Sequence, residues 1–268
     1  MTPLERFVVD HLGVVDVLDR PATIGGSRVL HVRDSAGRRW FAKRLPKQRP
    51  FDAEVTGYRL WGGLPGVPTP RAVCDERRCL LLPEVAGRRP SGRSARVERA
   101  AGELLRLLHA AEHPAGWVSR WRELAVTDTD RRLAHLIRSG LTVDQAMVRE
   151  QVAVLVAIPD LVDVVTHGDF QPHNWRWRRG RLHTFDFAAA ALRPAAYDLG
   201  RLRFAACWAR PDLFSTLLAG YGRPLTPAEW LFVEALMPWR AVVAMSLGVR
   251  HGRPEMVTHG QEVLAQVE

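Results

Sequence analysis

The stretch His167-Gly168-Asp169-Phe170-Gln171-Pro172-His173-Asn174, with Phe185-Asp186-Phe187 shortly after it, decides how the rest of the chain is interpreted. It places an acid and an amide five residues apart, and a second acid beyond a predicted hairpin. In phosphoryl transfer one Asp orients the attacking hydroxyl, while an Asn and another Asp hold Mg²⁺ on the nucleotide phosphates. We therefore predict that Asp169 is the catalytic base and that Asn174 and Asp186 are metal ligands.

The predicted ligands suit the metal. Mg²⁺ prefers hard oxygen ligands and takes few of them from protein, the rest coming from phosphate and water. Asn174 and Asp186 supply such oxygens without the excess negative charge that would repel ATP. His167 is expected to pack behind the loop as a scaffold rather than to take part in the chemistry.

A glycine-rich turn near the N-terminus has a pattern suited to phosphate. Gly25-Gly26-Ser27 follows the strand-like Ala22-Thr23-Ile24 and precedes two β-rich segments, 29–32 and 40–43. Glycines let backbone N–H groups approach phosphate oxygens closely. Most such triplets are ordinary hairpin turns, but this one shortly precedes a strand that ends in Lys43, which favours a nucleotide-binding role.

Lys43 is one of only two lysines, the other being Lys47, among 38 basic residues. A compact ammonium acts as a point charge on phosphate. A helix is predicted over Asp52–Trp61, with Glu54 in its first turn, where its carboxylate could reach back to the ammonium. The alternative is that Glu54 is solvated and simply favoured by the helix dipole.

The remaining sequence divides into a β-rich part and a helical part. Leu81–Gly87 is predicted to be an extended hinge, and beyond it helical periodicity dominates. We expect a nucleotide-binding lobe over 1–84 and a helical lobe over 85–268 that carries the catalytic loop and the acceptor site. Helices are predicted over 94–111, 128–139, 142–157, 195–208, 211–219 and 226–247, the last with a kink or break at Pro238, and from Pro254 onward.

Composition excludes several classes of protein. The 268 residues are 47% apolar, and from the sequence we expect neither a membrane span nor a signal peptide. An odd count of three cysteines fits a reducing cytosol, so a cytoplasmic protein is expected. The formal charge of +9 comes from scattered arginines without a nucleic-acid-binding motif. We therefore expect neither nucleic acid nor membrane as a partner, and a monomer or homodimer.

These motifs together resemble the aminoglycoside phosphotransferase family, which has a bilobal protein-kinase-like α+β fold: a small antiparallel sheet with one helix, then a larger, mostly helical lobe. The resemblance extends over nearly the whole chain. It implies ATP (or GTP) and Mg²⁺ as cofactors, with Lys43 anchoring the triphosphate and Glu54 supporting it. It also implies that Asp198, in Tyr197-Asp198-Leu199-Gly200, is structural and braces the catalytic loop.

The hinge is expected to bind the adenine ring in the same way as in this family. The resemblance implies that the Val85 N–H donates a hydrogen bond to adenine and that the Pro83 carbonyl accepts one from it. Proline has no N–H but keeps its carbonyl, so Pro83 is compatible with this role.

Several positions depart from protein kinases. Gly168 stands where they carry an arginine that reads activation-loop phosphate, and Gln171 replaces a basic residue. Ala188 replaces the glycine that lets the metal-binding turn flip. The run from Asp186 to Asp198 is too short for a segment that docks a peptide. A small-molecule hydroxyl is therefore the predicted acceptor.

The chemical class of the acceptor is predicted only from the net charge of the chain. Aminoglycosides are polycations that need acidic pockets, whereas this chain is strongly basic, which favours a neutral, weakly cationic or anionic antibiotic. Trp208, Glu234 and Trp239 are candidate acceptor-site residues, although the tryptophans could equally belong to the core. The alternatives are a metabolic kinase acting on choline, a sugar or an amino alcohol, and a nucleotide-binding pseudokinase that regulates a partner.

Overall fold

The computed structural model describes residues 1–21, 26–90 and 94–267, and its contacts divide the chain into two compact units. Unit 1 comprises Met1–Ala111 and His167–Ala190, and unit 2 comprises Glu112–Thr166 and the chain from Ala191 onward. The predicted α+β fold class is confirmed, with an antiparallel N-terminal sheet and a mostly helical C-terminal part.

Unit 1 begins with a helix and a five-stranded antiparallel sheet in the order β1-β2-β3-β5-β4. Thr2 and Glu5 form the capping box that starts the helix, the Glu5 N–H donating to Thr2 Oγ1 at 3.2 Å. Apolar side chains on one face of this helix pack against the sheet. The elements are α1 (Pro3–Leu12), β1 (Val15–Asp19), β2 (Arg28–Asp34), β3 (Arg39–Arg44), α2 (Gln48–Trp61), β4 (Ala72–Cys74) and β5 (Cys79–Pro83).

The rest of unit 1 is one helix and a small hairpin, formed by α3 (Ala95–His109), β7 (Trp175–Arg178) and β8 (Arg181–Thr184). The hairpin is joined to the segment after β5 by an isolated bridge between Arg88 and Trp177. Gly87 makes this approach possible, because a Cβ there would lie 2.7 Å from the Trp177 carbonyl oxygen. The bridge thus ties the chain after the predicted hinge to the hairpin that separates Asn174 from Asp186.

Unit 2 contains a two-stranded sheet and six helices among the residues described. These are β6 (Asp163–Thr166), β9 (Ala191–Pro194), α4 (Trp121–Arg138), α5 (Gln145–Ala157), α6 (Ala196–Ala206), α7 (Pro211–Tyr221), α8 (Pro227–His251) and α9 (Pro254–Leu264). Strands β6 and β9 pair antiparallel, with Thr166 opposite Ala191. Helix α8 alone, in the described part of the chain, is long and apolar enough to cross a membrane, and it is mostly buried inside the protein.

Three helices begin or continue differently from the sequence prediction. Helix α2 begins at Gln48, before Pro50, because the N–H that proline lacks is not needed in a first turn. Helix α4 begins at Trp121, and its N-cap Arg120 makes no capping bond with its side chain, so the sequence carried no start signal. Helix α8 continues through Pro238 to His251.

Two further differences concern α5 and β9. Helix α5 begins at Gln145 rather than at the predicted residue 142, because Asp144 is its N-cap and accepts the Met147 N–H at 3.0 Å. Strand β9 was not predicted, since its four residues include an arginine and end in proline. The first strand was expected near 22–24, of which nothing is described, and β1 lies earlier in the chain.

Candidate active site

The loop after β6 holds Asp169 and Asn174 together. Gly168 has φ 77°, a left-handed conformation that glycine adopts without a Cβ penalty. The side-chain amide of Asn174 donates to the Asp169 backbone carbonyl at 2.9 Å and to its Oδ2 at 3.0 Å. The predicted base and one predicted metal ligand are therefore hydrogen-bonded to each other.

His167 is the buried support of this loop. Its Nδ1 accepts the Asp169 N–H at 3.3 Å, and its Nε2 lies 3.1 Å from the Thr184 hydroxyl. Thr184 in turn donates to the Asn174 carbonyl at 3.3 Å. These bonds need the tautomer with its proton on Nε2, and they connect both ends of the loop to β8. His167 thus connects the loop to β8 in this structure, and its role as a scaffold stays a prediction.

His173 contacts the predicted base directly. Its Nε2 lies 2.9 Å from Asp169 Oδ2, on the same oxygen that accepts from Asn174. The His173 side chain is about half exposed and that of Asp169 about a third exposed. His173 was not among the predicted site residues, although its spacing of four residues from the base is visible in the sequence.

Lys43, Glu54 and Asp186 form one ionic cluster. The Lys43 Nζ lies 2.7 Å from Glu54 Oε2 and 2.9 Å from Asp186 Oδ1, the second contact having hydrogen-bond geometry. Neither Glu54 oxygen has a hydrogen bond of regular geometry among the described residues, so we treat its contact with Lys43 as an ion pair. Glu54 is fully buried, which excludes the alternative of a solvated carboxylate.

Burial and charge act against each other in this cluster. Burial alone would lower the pKa of Lys43, but the Glu54 and Asp186 carboxylates outweigh it and raise that pKa above its ordinary value. Burial raises the pKa of Glu54 to about 7, with Asp186 adding to the rise and Lys43 opposing it. The ammonium is thus firmly protonated, and it is shared between two acids.

Helix α2 also positions the turn that carries Asp186. The Asp186 N–H donates to the Tyr58 hydroxyl at 3.3 Å, and Asp186 itself has φ 68°. Gly57 lets the helix approach closely, because a Cβ there would lie 2.5 Å from Phe187 Cβ. A non-glycine residue at positive φ is strained and is kept there by its surroundings. The sequence predicted only that Tyr58 lies in a helix.

The residues present fit a magnesium ion. The NH₂ group of Asn174 is engaged by Asp169, which turns its amide oxygen away from that carboxylate. Asp186 is 42% exposed and uses Oδ1 for Lys43, so its second oxygen can take another partner. Two hard oxygen donors leave most of the coordination shell to phosphate and water, as Mg²⁺ prefers. Within the described ranges, no group of three or more His, Cys, Asp or Glu residues could hold a metal by itself.

The other predicted nucleotide-binding residues lie at the ends of strands of the sheet in unit 1. Pro83 ends β5 opposite Trp40, and Val85 follows it, half-buried. Gly26 has φ 80° and with Ser27 leads into β2, whereas Gly25 lies outside the described residues.

The predicted acceptor and support residues in unit 2 have different environments. Trp239 is buried in α8, and Trp208 is half-buried, with the Arg203 guanidinium 5.7 Å from its ring centroid. Glu234 is exposed on α8. Asp198 is fully buried in the first turn of α6.

One comparison with known proteins identifies a family. Residues 21–236 match the phosphotransferase enzyme family (APH). A comparison with curated proteins found no match.

Solved structures show the same fold over nearly the full length. The chain is similar to macrolide 2'-phosphotransferase MphH from Brachybacterium faecium, with 18% identity, a TM-score of 0.66, and 98% of this chain and 97% of that one covered. It is similar to spectinomycin phosphotransferase APH(9)-Ia in complex with ADP and spectinomycin, with 13% identity, a TM-score of 0.66 and coverage of 98% and 95%. It is also similar to the GDP and kanamycin complex of APH(2")-IIIa, with 13% identity, a TM-score of 0.68 and coverage of 98% and 97%. By the match of residues 21–236, the chain belongs to the phosphotransferase enzyme family.

Proposed function

We propose that this phosphotransferase transfers the γ-phosphoryl group of ATP to a hydroxyl group of a small molecule, and that this acceptor is an antibiotic. The observation that carries the proposal is the arrangement within unit 1 of the loop pair, Asp169 and Asn174, and the ionic cluster of Lys43, Glu54 and Asp186. Phosphoryl transfer depends on positioning and on electrostatic stabilisation, and these residues supply both.

Asp169 is the proposed base. Its carboxylate would accept a hydrogen bond from the acceptor hydroxyl and take the proton as the bond to phosphorus forms. Asn174 and His173 both contact Oδ2, which restricts the orientation of the carboxylate. His167 and Thr184 keep the loop in place without contacting the substrate.

Lys43 is the proposed contact for the triphosphate, oriented by Glu54. The ammonium is already held between two acids, so its position is fixed before nucleotide binds. Asn174 and Asp186 would hold Mg²⁺, which when bound neutralises the charge on the phosphate oxygens. Gly25, Gly26 and Ser27 are proposed to cover the phosphates, and Pro83 and Val85 to bind adenine. Residues 1–84 would then be the nucleotide-binding lobe.

The similar structures support a nucleotide and a small-molecule acceptor. One is a complex with ADP and spectinomycin and another with GDP and kanamycin, while a third is a macrolide 2'-phosphotransferase. The formal charge of +9 favours an acceptor that is not strongly polycationic. A role in antibiotic resistance or self-protection, in the cytoplasm where ATP is supplied, follows from the proposal.

The test is a phosphoryl-transfer assay with a matched variant. Macrolides, spectinomycin and aminoglycosides are incubated with MgATP, and mass spectrometry is used to look for the gain of one phosphoryl group. Asp169→Asn should lower turnover by roughly 10²- to 10⁴-fold, the range for a general base, while thermal stabilisation by ADP is retained.

Two alternatives have distinct outcomes in this assay. A metabolic kinase would phosphorylate choline, a sugar or an amino alcohol and leave all the antibiotics unchanged. A pseudokinase would bind nucleotide, phosphorylate nothing, and be unaffected by Asp169→Asn. Efficient turnover of an ordinary aminoglycoside would contradict the argument from charge.

A further inference from the structure

Two cysteines face each other across the hairpin of β4 and β5 in unit 1. Cys74 is the last residue of β4 and Cys79 the first of β5, and the two are register partners in the antiparallel pair. Both are free thiols. Such partners have their side chains on the same side of the sheet, with Cβ atoms about 4.5–5.5 Å apart.

The backbone of this hairpin suits a disulfide. Register partners in an antiparallel ladder have Cα atoms about 4.5–5.5 Å apart, and the Cα atoms of disulfide-bonded cysteines are usually about 4.4–6.8 Å apart. The turn between the strands, residues 75–78, is closed by the Arg78 N–H, which donates to the Asp75 carbonyl at 3.1 Å. An S–S bond can therefore form by rotation of the two side chains, without a change in the pairing of the strands.

The two thiols differ in their access to solvent. Cys79 is fully buried in the apolar core that α1 forms with the sheet, together with Phe7 and Val8, whereas Cys74 is partly buried and packs against that core. The Cys79 thiol donates to the Arg77 carbonyl at 3.4 Å, a weak bond that a disulfide would replace. Of the two sulfurs, that of Cys74 is thus the one that an oxidant in solution reaches first.

Burial keeps Cys79 in its thiol form. Burial, together with the negative charge of a Cys74 thiolate, raises the pKa of Cys79 to about 11, against the opposing charges of Arg44, Arg77 and Arg78. A disulfide is readily reduced when its reduced form is stabilised, for example as a thiolate. Cys79 has no such stabilisation, which favours the disulfide once it has formed.

The hairpin is attached to the end of β3, directly after Lys43. Cys79 is the register partner of Arg44, the residue that follows Lys43. The Leu45 N–H donates to the Arg78 carbonyl in the turn at 3.0 Å. A covalent bond across the base of this turn would therefore restrict the segment that follows the proposed triphosphate contact.

We propose that Cys74 and Cys79 are a site of reversible oxidation, at which hydrogen peroxide converts the two thiols into a disulfide that fixes the β4–β5 hairpin. A Cys74 thiolate attacks one peroxide oxygen, so that the O–O bond breaks and a sulfenic acid and one water form. The Cys79 sulfur then attacks the Cys74 sulfur, and the hydroxyl leaves with the Cys79 proton as a second water. Two electrons pass from the thiols to the peroxide, and a small dithiol reverses the reaction by exchange.

Peptide mapping of the full chain tests for the bond. Trypsin cleaves after the two arginines of the turn, Arg77 and Arg78, so the cysteines fall in separate peptides, 72–77 and 79–88. The protein is treated with hydrogen peroxide, the remaining thiols are blocked with N-ethylmaleimide in denaturant, and the digest is analysed by mass spectrometry. Peroxide should join the two peptides, with the loss of two hydrogen atoms from their summed mass, and dithiothreitol should separate them again.

The third cysteine provides a matched control. Cys207→Ala should give the same joined peptide as the wild type, whereas Cys74→Ala should give none. If the two wild-type peptides stay separate after peroxide, or if either is joined only to the peptide that carries Cys207, the proposal is overturned. The wild-type map decides this even if a variant folds poorly.

The effect on the hairpin is measured on the oxidised protein. A disulfide restricts the unfolded chain, so the midpoint of urea unfolding should rise by about 0.5–1 M. The Leu45 N–H, which is bonded to the turn, should also exchange more slowly with deuterium. Peroxide-treated Cys74→Ala is the reference, because it carries any oxidation at other residues. A disulfide that leaves both the midpoint and the exchange unchanged would show that the hairpin is not fixed, against the proposal.

Discussion

His173 Nε2 lies 2.9 Å from Asp169 Oδ2, so the proposed base shares one carboxylate oxygen with an imidazole four residues later. With the Asn174 amide on the same oxygen, the carboxylate is held from two sides. Rotation of the Asp169 side chain is restricted by these contacts. Positioning of this kind lowers the entropic part of the barrier.

Removing the imidazole should therefore lower kcat more than it raises KM. We expect His173→Ala to reduce kcat about tenfold, since about 1.4 kcal/mol of transition-state stabilisation corresponds to that factor. The KM for ATP should change less than about twofold. His173→Gln, which can still donate to the carboxylate, should recover part of kcat, and an equal loss in both variants would contradict a positioning role.

The ion pair of Lys43 with Glu54 predicts a large loss of stability on breaking it. Lys43→Met leaves a fully buried carboxylate without its cation and should cost about 3–5 kcal/mol in the free energy of unfolding. Adding Glu54→Gln to that variant should restore most of the stability and none of the phosphoryl transfer. Urea unfolding of the two single variants and the double variant measures the coupling.

The pH dependence of the Lys43→Met variant follows from the raised pKa of Glu54. That pKa is already about 7 in the folded protein, against an ordinary value of 4.5, and loss of the Lys43 charge would raise it further. The folded state then binds the proton more tightly than the unfolded state, so stability is fully present below pH 4.5 and lost as the pH rises through about 7. Lys43→Met should unfold at a lower urea concentration at pH 8 than at pH 5.5, and the double variant with Glu54→Gln should lose this dependence.

The contact between Gly57 and Phe187 predicts a packing defect that affects the metal-binding turn. A Cβ at Gly57 would lie 2.5 Å from Phe187 Cβ, too close for any real pair of atoms. Gly57→Ala should therefore destabilise the protein by about 1–3 kcal/mol, even though alanine is the better helix former. Arg59→Ala, on the exposed side of the same helix, should be nearly neutral. Thermal unfolding of the two variants decides between the expectations.

The sequence indicated the contact between Lys43 and Glu54 but not the contact of Lys43 with Asp186. Glu54 could be related to Lys43 because its helix was predicted to follow the strand that ends in Lys43. The first turn of α2 was missed because Pro50 lies in it, and β9 was missed because its short sequence has no strand pattern. Residues 191–194 form a strand because they pair with β6, and this pairing cannot be inferred from local periodicity.

The contact of Tyr58 with the turn that carries Asp186 could not be predicted for a similar reason. A tyrosine in a predicted helix gives no sign of which backbone N–H its hydroxyl will meet. This contact depends on tertiary packing, whereas the loop from His167 to Asn174 carries its information in local spacing.

Thr166 pairs with Ala191, so the chain leaves unit 2 and returns to it at neighbouring positions. Residues 167–190 are therefore an insertion between two paired strands of unit 2. Paired residues in an antiparallel ladder have Cα atoms only about 5 Å apart, a gap that a short turn can span. The two ends of this insertion are thus held together by the pairing of β6 with β9. The entropic cost of closing a loop between two fixed strands depends only weakly on the length of the loop. A change in the length of the insertion, or its exchange between relatives, should therefore have little entropic consequence for the helices of unit 2.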